Sequence, residues 1–346
     1  MQRFFTRARS GLRWWFSRRS RIVLTAIVAV VAALSVWTNA TPWPSAMLIR
    51  AVFEQGGAAT SAELARHVPD VEFDEQLDQS PPQGTGAPYD VIRTAESEGP
   101  QPTVIWVHGG AWISGDKSNV DGYLRILAAE GYTTVSLGYT VAPEAAYPTA
   151  IRQLSQSIEY LLDNAGRYGV DTTRIVLAGD SAGAQLASQL AAMATNPDYE
   201  LLVGVDSALE ADQLAGVVLN CGVYELDGMA KLTGIGAWGF KIALWAYTGT
   251  KDWSQEAPGA LMSTLEFATP DFPPTYISGG NGDALTWVQS VPMANRLDEL
   301  GVDVTRVFYP ADHEPALPHE YQFHLDGEDA RDALSATLQF LERVTR

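Results

Sequence analysis

Gly179-Asp180-Ser181-Ala182-Gly183 sets a serine between an apolar, strand-like run, Arg174 to Ala178, and a helix-forming run, Ala184 to Met193. A serine on so tight a strand-to-helix turn takes up strained dihedrals. Glycines two residues before and after it remove the Cβ atoms that would strike neighbouring backbone. Ser181 also heads a helix, where the dipole and free N–H groups favour negative charge developing on a substrate oxygen. The chemistry open to this arrangement is nucleophilic attack on an acyl carbon. Glycine- and serine-rich turns are common, so the pentapeptide gains its meaning from the strand before it and the helix after it.

A second motif, His108-Gly109-Gly110-Ala111-Trp112, ends the strand-like run Thr103 to Val107. Glycine lets backbone approach a substrate closely. The N–H groups of Gly109 and Gly110, with that of Ala182 after the serine, are therefore expected to form an oxyanion hole. His108 is expected to brace this loop rather than act as a base, because it precedes the serine and tops another strand. Around a serine on this type of turn, an acidic residue and then a histidine follow in chain order. Asp283 lies just past a strand-like run and is the expected carboxylate, since Asp271 precedes that run and Asp298 falls in the next helix. Three histidines, His313, His319 and His324, follow the last strand-like run and stay open as the base. Such an imidazole would take the proton from Ser181 while Asp283 fixes its tautomer and steadies the imidazolium.

Elements of a particular kind must hold these residues. From about residue 103, apolar strand-like runs alternate with helical periodicity, the pattern of a mostly parallel sheet covered by helices on both faces. The strand-like runs are Thr103–His108, Thr133–Gly138, Arg174–Ala178, Ala215–Asn220, Pro274–Ser278 and Thr305–Tyr309, and the helical ones lie near 120–130, 148–165, 182–195, 284–300 and 328–344. The stretch 225–272 breaks the rhythm and concentrates Trp238, Phe240, Trp245, Tyr247 and Trp253 among helix formers. Inserted between two sheet strands, it is expected to form a small helical cap over their C-terminal ends, where open α/β sheets bind ligands. The alternative is one more packed helix. The single cysteine, Cys221, excludes an intramolecular disulfide and reads as a buried core thiol.

Upstream, Ile22–Trp37 is an uncharged run of 16 residues preceded by seven arginines. That is a little short of the ~20 residues that span a bilayer as a helix. Positive-inside bias keeps the basic segment 1–21 cytoplasmic and carries the body across the membrane. Trp14, Trp15, Trp37 and Trp43 flank the run as interfacial aromatics do. The reading adopted is an uncleaved signal anchor over 22–37, with secretion after cleavage near Asn39-Ala40 as the alternative. Residues 38–100 read as a leader and linker, with a short amphipathic helix near Ser45–Gln55 and a polar loop around Pro81-Pro82, and 101–346 as the catalytic domain. Beyond residue 37 the chain carries 16 basic against 41 acidic residues, a balance that repels phosphate backbones and argues against a nucleic-acid partner.

Over about residues 100–345 these motifs resemble the hormone-sensitive-lipase-like carboxylesterases of the α/β-hydrolase superfamily. The resemblance rests on His108-Gly109-Gly110, the turn Gly179 to Gly183, and the Asp283 loop. It rests also on Tyr139-Thr140-Val141-Ala142-Pro143-Glu144 with Tyr147-Pro148, which is similar to the family's Tyr-Arg-Leu-Ala-Pro-Glu segment with Thr140 in place of arginine. It implies the α/β-hydrolase fold and hydrolysis of small or short-chain esters, with no metal and no organic cofactor. The family's histidine usually stands in His-Gly-Phe soon after the last strand, whereas this chain has a longer, proline-bearing tract. His319 is favoured as the base because aromatics follow it closely and Pro315 and Pro318 restrict the backbone before it. His313, flanked by Asp312 and Glu314, is the alternative. Two other functions share every motif: a membrane-tethered binding module that kept the fold without turnover, and a peptidase or amidase with the same triad.

Overall fold

The computed structural model describes residues 18–82 and 86–346. Trp14, Trp15 and most of the basic segment 1–21 lie outside the described residues. Eight strands, β1 (Phe73–Gln79), β2 (Tyr89–Thr94), β3 (Gln101–Val107), β4 (Thr133–Leu137), β5 (Val170–Asp180), β6 (Leu214–Asn220), β7 (Thr275–Gly279) and β8 (Val304–Phe308), form one sheet in the order β1-β2-β4-β3-β5-β6-β7-β8. The pairs β1–β2 and β2–β4 are antiparallel and all the others parallel. Strands β3 to β8 fall on the six strand-like runs of the sequence.

The helices among the described residues are α1 (Arg18–Ala40), α2 (Trp43–Leu64), α3 (Asp121–Ala129), α4 (Thr149–Asp163), α5 (Ala165–Tyr168), α6 (Ala182–Thr195), α7 (Pro197–Val203), α8 (Leu226–Lys231), α9 (Ile235–Thr248), α10 (Ala257–Met262), α11 (Val291–Glu299) and α12 (Glu328–Val344). The central strands are apolar on both sides because helices cover both faces. Along β3, Val104 and Trp106 pack with Leu124 and Leu127 of α3 and Phe340 of α12, while Ile105 and Val107 join a larger core with α4, α6 and α11. Helix α4 shows why the sequence folds this way. Its Ile151, Leu154, Ile158 and Leu161 recur at spacings of three and four and are all buried, giving one apolar stripe against the sheet.

The segment 38–100 holds more regular structure than its linker-like composition suggested. Helix α2 runs for 22 residues, well beyond Ser45–Gln55, and β1 and β2 extend the sheet on one side. Strand β1 was hidden by its composition: Phe-Asp-Glu-Gln-Leu-Asp-Gln is a charged edge strand, the kind that resists pairing with another chain. Helix α2 is pinned to the body by Arg50. Its guanidinium pairs with both carboxylate oxygens of Glu144 and donates to the carbonyls of Ile113 at 2.6 Å and Ala142 at 2.8 Å.

Within α1, Ile22–Ala40 forms 19 residues long and apolar enough to cross a membrane, and this stretch is not buried within the protein. Signal sequences share that property. The C-terminal ends of β3, β5, β7 and β8 open on one edge of the sheet, and the chemically equipped loops all leave from there.

Candidate active site

Ser181 sits between the end of β5 and the start of α6 with φ 51° and ψ −118°, a conformation side chains rarely adopt. The surrounding glycines make it tolerable. A Cβ on Gly179 would lie 2.5 Å from the backbone of Gly183, and one on Gly183 would lie 2.0 Å from the carbonyl oxygen of Val107. The Ser181 N–H donates to Asn220 O at 2.8 Å, which ties the turn to the end of β6.

The loops after β7 and β8 bring two further side chains to the hydroxyl. His319 Nε2 lies 2.9 Å from Ser181 Oγ, and its Nδ1 lies 2.6 Å from Asp283 Oδ2. The other carboxylate oxygen of Asp283 accepts the N–H of Leu285 at 2.9 Å, so the carboxylate is oriented on both sides. Burial disfavours the imidazolium of His319, but the Cys221 thiol and the Asp283 carboxylate beside it outweigh burial, and its pKa stands well above the ordinary 6.5. Cys221 is a buried core thiol, as expected; it also neighbours His319, and burial pushes its thiol pKa up. His313 is elsewhere: its Nε2 is 3.1 Å from Asp329 Oδ1 and its ring packs on Tyr309. His324 Nδ1 lies 3.0 Å from Glu63 Oε2 at the rim.

The loop after β3 departs from expectation at one residue. Gly109 does not point its N–H at the serine, because that N–H donates to Asp180 Oδ2 at 2.9 Å. Asp180 Oδ1 accepts from Trp106 Nε1 at 2.7 Å. Asp180 therefore serves as the anchor of this loop, and burial together with the neighbouring Glu320 carboxyl pushes it well above the usual carboxylate range. The N–H groups of Gly110, Ala111 and Ala182 have no protein acceptor among the described residues. Ala111 was missed because it is not a glycine, although it has a φ of 51°. His108 is buried and kept neutral by burial. It stacks on Tyr139 with ring centres 4.4 Å apart, and its Nδ1 lies 2.8 Å from Gly109 O. The Tyr139 hydroxyl donates to His108 O at 3.2 Å.

A second unanticipated residue is Asn281. Its amide accepts the Leu317 N–H at 2.8 Å and donates to His313 O at 2.9 Å, and Gly282 N–H donates to Leu317 O at 2.9 Å. These bonds lock the Asp283 loop to the tract that ends in His319. Nothing in the motif pattern marks an asparagine inside a glycine-rich loop.

The serine opens into a cavity of about 580 Å³. Val52 and Phe53 of α2, Phe240 of α9 and Phe323 line its apolar side. Glu63 lines the cavity and, outside its lining, meets His67 and Asp326: the ligand atoms of the three lie within 4.8 Å of one another, and Arg66 already pairs with Asp326 at 2.6 Å.

A mostly parallel eight-stranded sheet with helices on both faces, and a serine on a strand-to-helix elbow, define an α/β hydrolase. Residues 89–297, more than half of the chain, match the profile of the BD-FAE family, and the chain belongs to that family. Solved structures similar to it include esterase B from Lactobacillus rhamnosis, at 23% identity over 86% of this chain and 94% of that one with a TM-score of 0.73. An esterase from Pyrobaculum calidifontis is 21% identical over 87% and 94% with a TM-score of 0.68, and a bacterial heroin esterase is 21% identical over 86% and 91% with a TM-score of 0.69. At these identities the likeness shows the fold.

Proposed function

We propose that the protein is a serine carboxylesterase acting on small esters, anchored to a membrane by α1 with its body outside the cytoplasm. The observation that carries the catalytic reading is the continuous chain Asp283 Oδ2, His319 Nδ1, His319 Nε2, Ser181 Oγ, at 2.6 and 2.9 Å. In this reading His319 Nε2 takes the hydroxyl proton as Ser181 Oγ attacks the ester carbonyl. The oxyanion is received by the unclaimed N–H groups of Gly110, Ala111 and Ala182. The intermediate collapses, His319 returns the proton to the departing alcohol, and the acyl group stays on Ser181. Water then loses a proton to His319, attacks the acyl carbon, and releases the carboxylic acid and the free serine. Asp283 keeps Nδ1 protonated throughout and stabilises the imidazolium.

No step calls for a metal or an organic cofactor. Among the described residues between β6 and β7 only Phe240 of α9 reaches the cavity, and in this reading it acts with Val52 and Phe53 of α2 as the apolar part of a cap. The signal-anchor reading is supported by the seven arginines ahead of an apolar helix. Purified full-length protein, assayed with 4-nitrophenyl acetate and labelled with a fluorophosphonate probe, tests the catalytic reading. Turnover with labelling at Ser181 is expected. Absence of both would leave a non-catalytic module, and turnover of anilides at rates comparable to esters would indicate an amidase.

A further inference from the structure

The large apolar side chains left exposed on the body are not scattered evenly. Among the described residues of the body, four of them, Trp43, Leu48, Val52 and Phe53, lie on α2, whereas α7 and residues 286–290 carry two each and α9, which packs beside α2, carries one, Trp238. Leu48 and Val52, one helical turn apart, are 64% and 61% exposed, and Val52 and Phe53 also form the lip of the cavity that contains Ser181. A water-facing enzyme gains nothing from a row of this kind, which marks a surface that meets another apolar phase.

The chain itself identifies that phase. Only Thr41 and Pro42 separate the apolar α1 from α2, which limits the distance from Ala40 to Trp43 to about 11 Å. Val52 lies only ~14 Å further along the helix at its axial rise per residue. The end of α1 is also tied to the other side of this surface, since Lys251 Nζ bonds to Asn39 O and stands 4.3 Å over the Trp245 ring. The body is strongly acidic, yet α9 has no acidic residue and carries Lys241, with Lys251-Asp252 after it, and α2 carries Glu54 beside Phe53. Tryptophan and lysine beside an apolar helix end are the side chains that settle at a bilayer interface.

We propose that the α2–α9 face docks on the leaflet into which α1 inserts, so that the cavity mouth opens toward lipid and admits lipophilic esters dissolved in that leaflet. This rests on the membrane-anchored esterase reading above and adds the route and polarity of the substrate. The carbonyl of an ester lying near the headgroups would reach Ser181 past Val52 and Phe53, with its chain staying in apolar surroundings throughout.

The test uses full-length protein in phosphatidylcholine–phosphatidylglycerol vesicles, with the double variant Leu48→Glu, Trp238→Glu, neither of which touches the reacting groups. Wild type is expected to hydrolyse both water-dissolved 4-nitrophenyl acetate and bilayer-dissolved 4-nitrophenyl decanoate. The variant should keep its acetate rate within about twofold and lose about tenfold on the decanoate, as fits two charges placed against lipid. Equal retention on both esters would overturn the proposal. So would wild-type turnover of acetate with none of the vesicle-borne ester. A second readout needs no catalysis: a fluorophore on Leu48→Cys should be quenched by a lipid-borne quencher, and an unquenched fluorophore on vesicle-bound protein overturns the docking. A quenched label without hydrolysis of either ester would sink the esterase reading alone, and protein that fails to associate with the vesicles would sink the anchor and the docking together.

Discussion

Asp283 Oδ2 stands 2.6 Å from Nδ1 of His319, on the side of the ring opposite the serine. A carboxylate in that place favours the protonated ring, and the pKa of His319 is raised well above 6.5. The proposed base works only when neutral. Activity should therefore rise with pH through an acid limb lying above 6.5, and should be lost as the pH falls through it. Replacing Asp283 with Asn removes the charge, so the limb should move to lower pH while kcat falls by roughly 10⁴-fold, the loss seen when a triad carboxylate is amidated. A pH–rate profile of both proteins decides the matter; an acid limb that does not move in Asp283→Asn would show that the carboxylate does not set the titration of the base.

Ser181→Ala should fold normally and lose activity on the order of 10⁶-fold, and His319→Ala should lose comparably, because residues that act as one unit fail together. His313→Ala should keep at least half of the wild-type rate, since its Nε2 faces Asp329. Dead His313→Ala beside active His319→Ala would reverse the assignment.

The parts that were legible in the sequence are those in which one local rule decides the outcome. The central strands are apolar on both faces, and Gly179 and Gly183 flank Ser181 because any Cβ would meet backbone. Strand β1 was illegible because an edge strand is permitted charges, and the length of α2 because Gly56-Gly57 interrupts its helical signal. Gly109 was misread for a different reason. Its sequence position fits an oxyanion donor, and only the fold reveals that Asp180, 71 residues later, accepts its N–H. Glu320 was equally hidden. It occupies a left-handed conformation, φ 59°, immediately after His319, where the resembled family has glycine.

Asn281 offers a test of positioning without contact with substrate. Asn281→Ala removes the bonds to Leu317 and His313, and a displacement of the histidine tract near 1 Å is enough to cost about 10²-fold. The expected result is kcat lowered between about tenfold and a hundredfold with KM within twofold of wild type. Asn281→Asp keeps the acceptor for Leu317 and should recover part of the loss. An unchanged kcat in Asn281→Ala would remove Asn281 from the site.

Gly183 tests the elbow sterically. Its added Cβ would fall 2.0 Å from Val107 O and 2.6 Å from His108 O, both backbone atoms with no rotamer to yield. Gly183→Ala should cost at least about 3 kcal/mol as overpacking, which lowers Tm by roughly 6 °C or more in a chain of this size. Gly166→Ala, with open space around its Cβ, serves as the control and should leave Tm unchanged or slightly higher. Equal melting of the two variants would contradict the close approach of the elbow to β3.

The mode of attachment separates a spanning helix from a peripheral one by what releases it. A surface held by charge lets go in high salt, because screening shortens the reach of its arginines to a few ångströms. A helix such as Ile22–Ala40 buries apolar area that salt does not touch. Full-length protein should therefore remain in the membrane pellet through a molar salt wash and a carbonate wash at high pH, and appear in the supernatant only with detergent. Placing two lysines in the run, as Val28→Lys with Val31→Lys, should make carbonate extraction efficient, since each charge at the bilayer centre costs roughly 3 kcal/mol of insertion. Full-length protein recovered in the salt wash would overturn the anchor. Recovery of a soluble body that begins near Thr41 would instead indicate cleavage after Ala40.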